Sequence, residues 1–428
     1  MTRRFEQHVA RPVRDLAGVW DFAFLEGAEA DRWPRTPARF GDRMAVPGCF
    51  DATPAYAGRR GLGVYRRTLA ISEPGHYRLY IDGLHHRGQV FLKGLRAAEH
   101  AGGFTRFAAD LGRLEAGEHE LLVSADNRLD AKRSPLHLDY FDWYHYGGIS
   151  RGIELHRLRS PWIDSLRVDT LSAARRRVRL RIAWRADRPP GRAPLEVACD
   201  GAVVLSEPVA LPGARGVIER VLTLRGARLW SPDAPNLHRL RVRLGDDDLA
   251  ERIGLREVRT RGRALLINGK PVTLLGFNRH EGHPQFGHAL PWPLLVADVQ
   301  LLQDLGVNFV RGSHYPQDPR FLDLCDEAGI CVWSEATGWQ HTAGQLNDPR
   351  FIRAQKLNLE EMVAQSASHP SVILWGLLNE SASHDPRARR GYKTLIGHLR
   401  ALDPGRPVAY ACNHPWDDRC LDLADVVG

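Results

Sequence analysis

From about residue 265 onward the chain repeats one grammar: a short apolar run, an amphipathic stretch, then a polar or glycine-containing break. Val272-Thr-Leu-Leu-Gly-Phe leads to a helix predicted over 293–305, closed by Gly306. Val307-Asn-Phe-Val-Arg leads to one over 318–328, closed by Gly329, and Ile330-Cys-Val-Trp-Ser to one over 350–366. Residues 371–378 precede a helix over 386–402; Pro407-Val-Ala-Tyr-Ala follows, and Asp425-Val-Val-Gly428 reads as a sixth strand. Strands alternating with helices that exit through glycine are what parallel βα units require. The run Val372-Ile-Leu-Trp375 lacks alternation, as a strand covered on both faces does. A doubly wound sheet and a (β/α)₈ barrel both satisfy this pattern. No G-x-G-x-x-G follows the first strand, so a dinucleotide site has no support.

Upstream the grammar differs. Residues 16–156 read as short strands (19–24, 64–69, 76–81, 89–92, 119–123) punctuated by Gly and Pro, the spacing of a β-sandwich or jelly roll. Residues 161–261 form a second β-rich section, with strands predicted over 178–184, 195–198, 217–224 and 239–244, the size of an immunoglobulin-like sandwich. The expected organisation is therefore a multidomain β plus α/β chain: a β-sandwich or jelly roll, a second sandwich of immunoglobulin-like size, and a parallel α/β section of about six strands, either doubly wound or a barrel.

Charge and cysteine usage exclude several function classes. The net charge is +8, carried almost wholly by arginine. Its densest run, Arg175-Arg-Arg-Val-Arg-Leu-Arg-Ile-Ala-Trp-Arg185, alternates and so reads as a strand with a solvated arginine face; no nucleic-acid-binding module accompanies it. The six cysteines include no C-x-x-C pair, which argues against zinc or redox chemistry. No apolar run approaches the ~18 residues of a membrane span, and no apolar h-region follows the basic start. A cytoplasmic protein with reduced thiols is expected, with no membrane or nucleic-acid partner.

Polar residues collect where the later strands end. Asn278-Arg-His-Glu281 follows the first, Arg311-Gly-Ser-His314 the second, Glu335 the third, Asn379-Glu380 the fourth and Asn413 the fifth. In a barrel these tips share one face, where active sites are built. Singly, each has a structural explanation: His280 and His314 as satisfied loop histidines, Arg311 with Glu335 as an ion pair. Together, carboxylates among amides, histidines and an arginine suit acid/base work on a polyhydroxylated substrate.

Asn308-Phe-Val-Arg-Gly-Ser-His-Tyr-Pro316 and residues 368–380, closing in Trp-Gly-Leu-Leu-Asn-Glu, resemble the two signatures of glycoside hydrolase family 2. Gly276-Phe-Asn-Arg-His-Glu281, Trp292-Pro-Leu-Leu and Asp142-Trp-Tyr-His-Tyr-Gly-Gly-Ile-Ser-Arg151 are similar to segments of its β-glucuronidases and β-galactosidases. The resemblance implies a retaining, exo-acting β-glycoside hydrolase, with a jelly-roll sugar-binding domain over 1–158, an immunoglobulin-like β-sandwich over 159–262 and a TIM-barrel catalytic domain over 263–428 that is incomplete at about six strands. By position, Glu380 matches the general acid/base and Asn379 the residue that holds the sugar 2-hydroxyl. His314, Arg311 and His280 match residues lining the sugar pocket, Asp142 an aspartate lent by the first domain, and Glu335 a supporting carboxylate. The partner implied is a small-molecule or oligosaccharide β-glycoside; a homo-oligomer is compatible with it.

Two departures qualify this. A retaining enzyme needs a nucleophilic carboxylate about 5–5.5 Å from the acid, and the resemblance places it on the seventh strand, roughly 90 residues beyond Glu380. The chain stops at Gly428, so a truncated barrel without its nucleophile is expected, and with it the alternative of a catalytically inactive carbohydrate-binding fragment. The magnesium of some family β-galactosidases would need a carboxylate where Trp339 stands, although His341 fits the histidine position; no metal and no cofactor are expected.

Overall fold

The computed structural model describes residues 3–27, 39–129 and 143–428. The chain divides into two compact units: one comprises 13–157 with 280–295, the other 3–12 with 158–279 and 296–428.

The first unit is antiparallel. A four-stranded sheet orders Val13–Asp15, Ile153–Leu158, Gly75–Ile81 and Phe107–Leu114. A larger sheet runs Asp42–Val46, Gly18–Leu25, Leu62–Ile71, Gly117–Asp126, Leu84–Leu92, Gly148–Ile149 and Gly48–Cys49, with Leu95–Gly103 paired to Leu84–Leu92. Alternate residues such as Trp20, Phe22, Leu79, Ile81, Leu121 and Val123 point inward and form one buried core, as half-buried strands dictate.

In the second unit, Trp162–Ser172, Arg177–Arg185 and Arg215–Thr223 form one sheet, and Ala202–Leu211, Gly191–Cys199, His238–Leu244 and Asp247–Ile253 another. Val178, Leu180, Ile182 and Trp184 join their shared core while the intervening arginines face outward. Asp169 pairs with Arg167, Arg179 and Arg181 on that face, so the basic run is a solvated sheet surface, as its alternation predicts.

The same unit holds six parallel strands in sequence order: Gly276–Arg279, Phe309–Gly312, Cys331–Glu335, Val372–Gly376, Val408–Tyr410 and Val426–Val427. The helices are Trp292–Asp304, Pro319–Ala328, Ala343–Asn347, Pro349–Ser366 and Arg389–Leu402. Their ends follow local chemistry. Asp318 caps Pro319–Ala328 by accepting from the Arg320 N–H, and Gly329 closes it at φ 72°. Asp348 caps Pro349–Ser366 in the same way, with proline first.

The first strand departs from expectation. Residues 272–275 do not belong to the parallel sheet: Lys270–Val272 pairs antiparallel with Ala264–Ile267, and the parallel strand begins at Gly276. An apolar run shared by the end of one ladder and the start of the next has no internal mark of the break. The helix Ala343–Asn347, with its Thr342–Gln345 capping box, is an element the hydrophobic pattern does not signal. No described helix is long and apolar enough to cross a membrane, and all six cysteines are free thiols.

Candidate active site

The two ends of the fourth strand are built for different tasks. At its start, Arg256 Nη2 and Arg406 Nε donate to the Val372 carbonyl at 2.6 and 2.7 Å. Asp326 accepts from the Ser371 N–H and holds His369 Nδ1 at 2.6 Å. These charged groups anchor the start of the strand. Within the sheet, the Trp333 indole lies against Gly376: a Cβ at that glycine would sit 1.9 Å from Trp333 Nε1. The bare glycine lets the ring lie flat, and the Arg311 guanidinium stacks 4.7 Å from its centre.

Arg311 is the hub of the other end. Its Nε donates to Glu335 Oε2 at 2.8 Å, and its Nη2 to Glu335 Oε1 at 3.1 Å and Asn379 Oδ1 at 2.7 Å. His314 Nδ1 lies 3.0 Å from Glu335 Oε1 and 3.3 Å from Arg311 Nη2. The shorter contact, to a carboxylate, puts the ring proton on Nδ1. Glu335 is completely buried. A carboxylate there is tolerable because a bidentate guanidinium and an imidazole satisfy it. Glu335 is thus a holder of Arg311 and His314.

Beyond Gly376 the fourth strand is pinned from both sides. The Gln340 N–H donates to the Asn379 carbonyl at 2.7 Å, and the Glu380 N–H to the Ala411 carbonyl at 2.9 Å. Leu378 and Glu380 adopt left-handed φ of 57° and 48°, and Gln340 one of 51°. Non-glycine residues there cost of order 1 kcal/mol each, and the surrounding hydrogen bonds hold them in place. This backbone sets Glu380 apart from Glu335. The Glu380 side chain is half-buried, and its Oε2 accepts from Gln340 Nε2 at 3.3 Å. Among the described residues no guanidinium pairs with it, which leaves it free to donate a proton. Gln340 is a site residue that sequence reasoning did not single out.

Arg311, His314, Glu335, Asn379 and Glu380 therefore form one constellation. His280 belongs to the first unit, where its ring lies 4.7 Å from that of Trp143. In that unit Arg151 Nη2 donates to Glu281 Oε2 at 2.8 Å, with both side chains almost wholly buried. This ion pair joins the ends of two segments that sequence reading singled out, 142–151 and 276–281. Asp142 itself lies outside the described residues. Trp375 is core, its Nε1 donating to Asp403.

His341 is buried, with Nδ1 3.2 Å from Ser381 Oγ and its ring against Phe351. Together with the apolar Trp339 beside it, this donor set does not fit a divalent ion, and no chemistry is routed through one.

The model for "Glycosyl hydrolases family 2, TIM barrel domain" matches residues 258–427. A GH2 β-galacturonidase from Eisenbergiella tayi, solved with galacturonate, superposes with a TM-score of 0.91 at 33% identity over 100% of this chain and 76% of its own. The β-glucuronidase of Chlorocebus aethiops is 28% identical over 98% of this chain and 72% of its own length. A putative β-glucuronidase of Formosa agariphila is 31% identical over 84% of this chain, which spans only 45% of that protein.

Proposed function

Because the chain belongs to glycoside hydrolase family 2, we propose that its parallel-sheet site serves a retaining, exo-acting β-glycosidase of the uronide-cleaving kind, with Glu380 as general acid/base. The observation that carries this is the contrast between two carboxylates on neighbouring strands: Glu335 is saturated by Arg311 and His314, whereas Glu380 is half-buried and held by one neutral amide. In the first half-reaction the Glu380 carboxyl gives its proton to the glycosidic oxygen as the C1–O bond to the leaving alcohol breaks and the nucleophilic carboxylate that double displacement requires bonds to C1. In the second, the Glu380 carboxylate takes a proton from the water that attacks C1 and displaces that nucleophile. Arg311 fixes the Asn379 amide by occupying its oxygen, which orients the NH2 to donate to a sugar hydroxyl. The relatives' names, glucuronidase and galacturonidase, favour a uronide over a neutral galactoside.

Double displacement also needs a nucleophile, and among the described residues no further carboxylate hydrogen-bonds into this constellation. That favours a second reading, in which the six strands bind a sugar without cleaving it. We read the first unit's sheets as a jelly roll over 1–158 and the 159–262 section as an immunoglobulin-like sandwich, leaving 263–428 to the barrel.

The test is a panel of nitrophenyl β-galacturonide, glucuronide and galactoside, with calorimetric binding of the free sugars to the purified chain. Binding of a free uronic acid, weakened by Asn379→Ala, is expected under either reading; with all aryl glycosides left intact it would leave the binding-only reading standing. Turnover abolished by Glu380→Gln would support the hydrolase and remove the binding-only reading. Absence of both binding and turnover would sink the proposal.

A further inference from the structure

The geometry points to a zinc-type metal site on the second unit's β-sandwich, made by Cys199, Asp200 and His238, outside the residues assigned to the sugar. Cys199 ends the strand Gly191–Cys199 and pairs with Ala202 across the turn Asp200-Gly201. Both turn residues have positive φ, 49° and 86°, the two-residue hairpin whose twist suits flanking strands. His238 opens the neighbouring strand His238–Leu244, with Cys199 opposite Leu240. The turn aims the Asp200 carboxylate along this edge: Oδ1 accepts from the Arg239 N–H at 2.8 Å, and Oδ2 lies 2.7 Å from His238 Nδ1.

The thiol sulfur, a carboxylate oxygen and a ring nitrogen all fall within 4.8 Å of one another. Donors around tetrahedral zinc stand about 3–4 Å apart, given bonds of about 2.0–2.3 Å, so side-chain adjustment of about 1 Å closes the set. Sulfur, nitrogen and oxygen donors together suit zinc and disfavour magnesium or calcium, which want oxygen alone. The Asp200 side chain is 53% exposed while His238 is 9% exposed, giving a solvent-side entry and a rigid inner ligand.

A separate observation concerns the outer nitrogen of the ring. His238 Nε2 lies 3.0 Å from the Arg228 carbonyl oxygen and 3.0 Å from the Arg228 backbone nitrogen. In one tautomer Nδ1–H donates to Asp200 and Nε2 accepts from the Arg228 N–H. In the other, Nε2–H donates to the Arg228 carbonyl and Nδ1 presents its lone pair, the orientation that metal-bound histidines take from a backbone carbonyl. With a metal on Nδ1, the second state gives both ring nitrogens a partner, the ion on one side and the Arg228 carbonyl on the other. The same groups also tether the turn without metal, and the experiment must separate the two roles.

The test uses the full chain, stripped with a chelator and then titrated with Zn²⁺ in metal-buffered solution and with Co²⁺ as a spectroscopic probe. Expected are uptake of a single ion, a thiolate-to-cobalt charge-transfer band, and a higher Tm with Zn²⁺. Cys199→Ser should abolish the band, and His238→Gln should weaken uptake roughly tenfold or more. Asp200→Asn keeps the turn acceptor and serves if either variant fails to fold; it too should weaken uptake. No uptake by the wild type, or uptake and spectrum unchanged in these variants, would overturn the assignment.

Discussion

Arg311 serves three partners with one side chain, so its loss leaves Glu335 as a buried charge without its cation. Arg311→Met should destabilise the fold by about 3–5 kcal/mol in urea denaturation, and adding Glu335→Gln should recover part of that loss. Glu380→Gln exchanges a half-exposed group with one amide contact and should stay within about 0.5 kcal/mol of wild type. A second residue-scale expectation concerns His288, which is fully buried beside the Glu281 carbonyl. Burial drives its pKa down to about 4, and the contact with Glu281 only partly opposes this. The unfolded chain takes up this proton near pH 6.5 and the folded chain only near pH 4, so stability is lost as pH falls through that window. About 2 kcal/mol should go between pH 7 and pH 5, and His288→Gln should flatten this part of the profile. Much of the site was legible at this scale. Residues such as Arg311, Glu335 and Asn379 stand at fixed offsets from apolar runs, and a strand tip can be read from sequence. Gln340 was not legible, because its placement is set by the backbone bond of its loop to the distant Asn379 carbonyl.

At the scale of elements, the fourth strand depends on a missing side chain. Gly376→Ala would push a Cβ into the Trp333 indole and displace the platform under Arg311. Overpacking of this kind costs about 1–3 kcal/mol, and indole fluorescence should shift with it. The longer helices were readable to within a few residues: Asp318, Pro319 and Gly329, or Asp348 and Pro349, declare their ends through capping chemistry, whereas Ala343–Asn347 was missed. The first parallel strand was misplaced because Val272 and Phe277 look alike in composition while serving different sheets. Edge exposure adds to the ambiguity: Gly276, Phe277 and Asn278 are all exposed and only Arg279 is buried, so burial gives that strand no periodicity to read.

At the scale of the molecule, residues 3–12 belong to the unit otherwise built from 158–279 and 296–428. Arg3 forms a bidentate pair with Asp323, and the Asp248 carboxylate accepts from the backbone N–H groups of Val9, Ala10 and Arg11. Nothing in the sequence marks these pairings, since no local pattern encodes a partner hundreds of residues away. Burial alone would raise the Asp323 carboxyl, but the charge of Arg3, joined by His369 and Arg252, outweighs it and lowers the pKa to about 2. A depressed carboxyl stabilises above its unfolded value near 3.8 and loses that contribution as pH falls through 2. Acid should therefore detach the arm between about pH 4 and pH 2, weakening the fold by about 2 kcal/mol, and proteolysis near residues 3–12 should report it. Asp323→Asn should remove this acid step from the profile.

The separation of 320 positions between Arg3 and its carboxylate has a further consequence for biosynthesis. Residues 9–11 can engage Asp248 as soon as that strand has emerged, whereas Arg3 must wait for Asp323 on the second parallel βα unit. The arm therefore attaches in two stages during synthesis, its root first and its tip later.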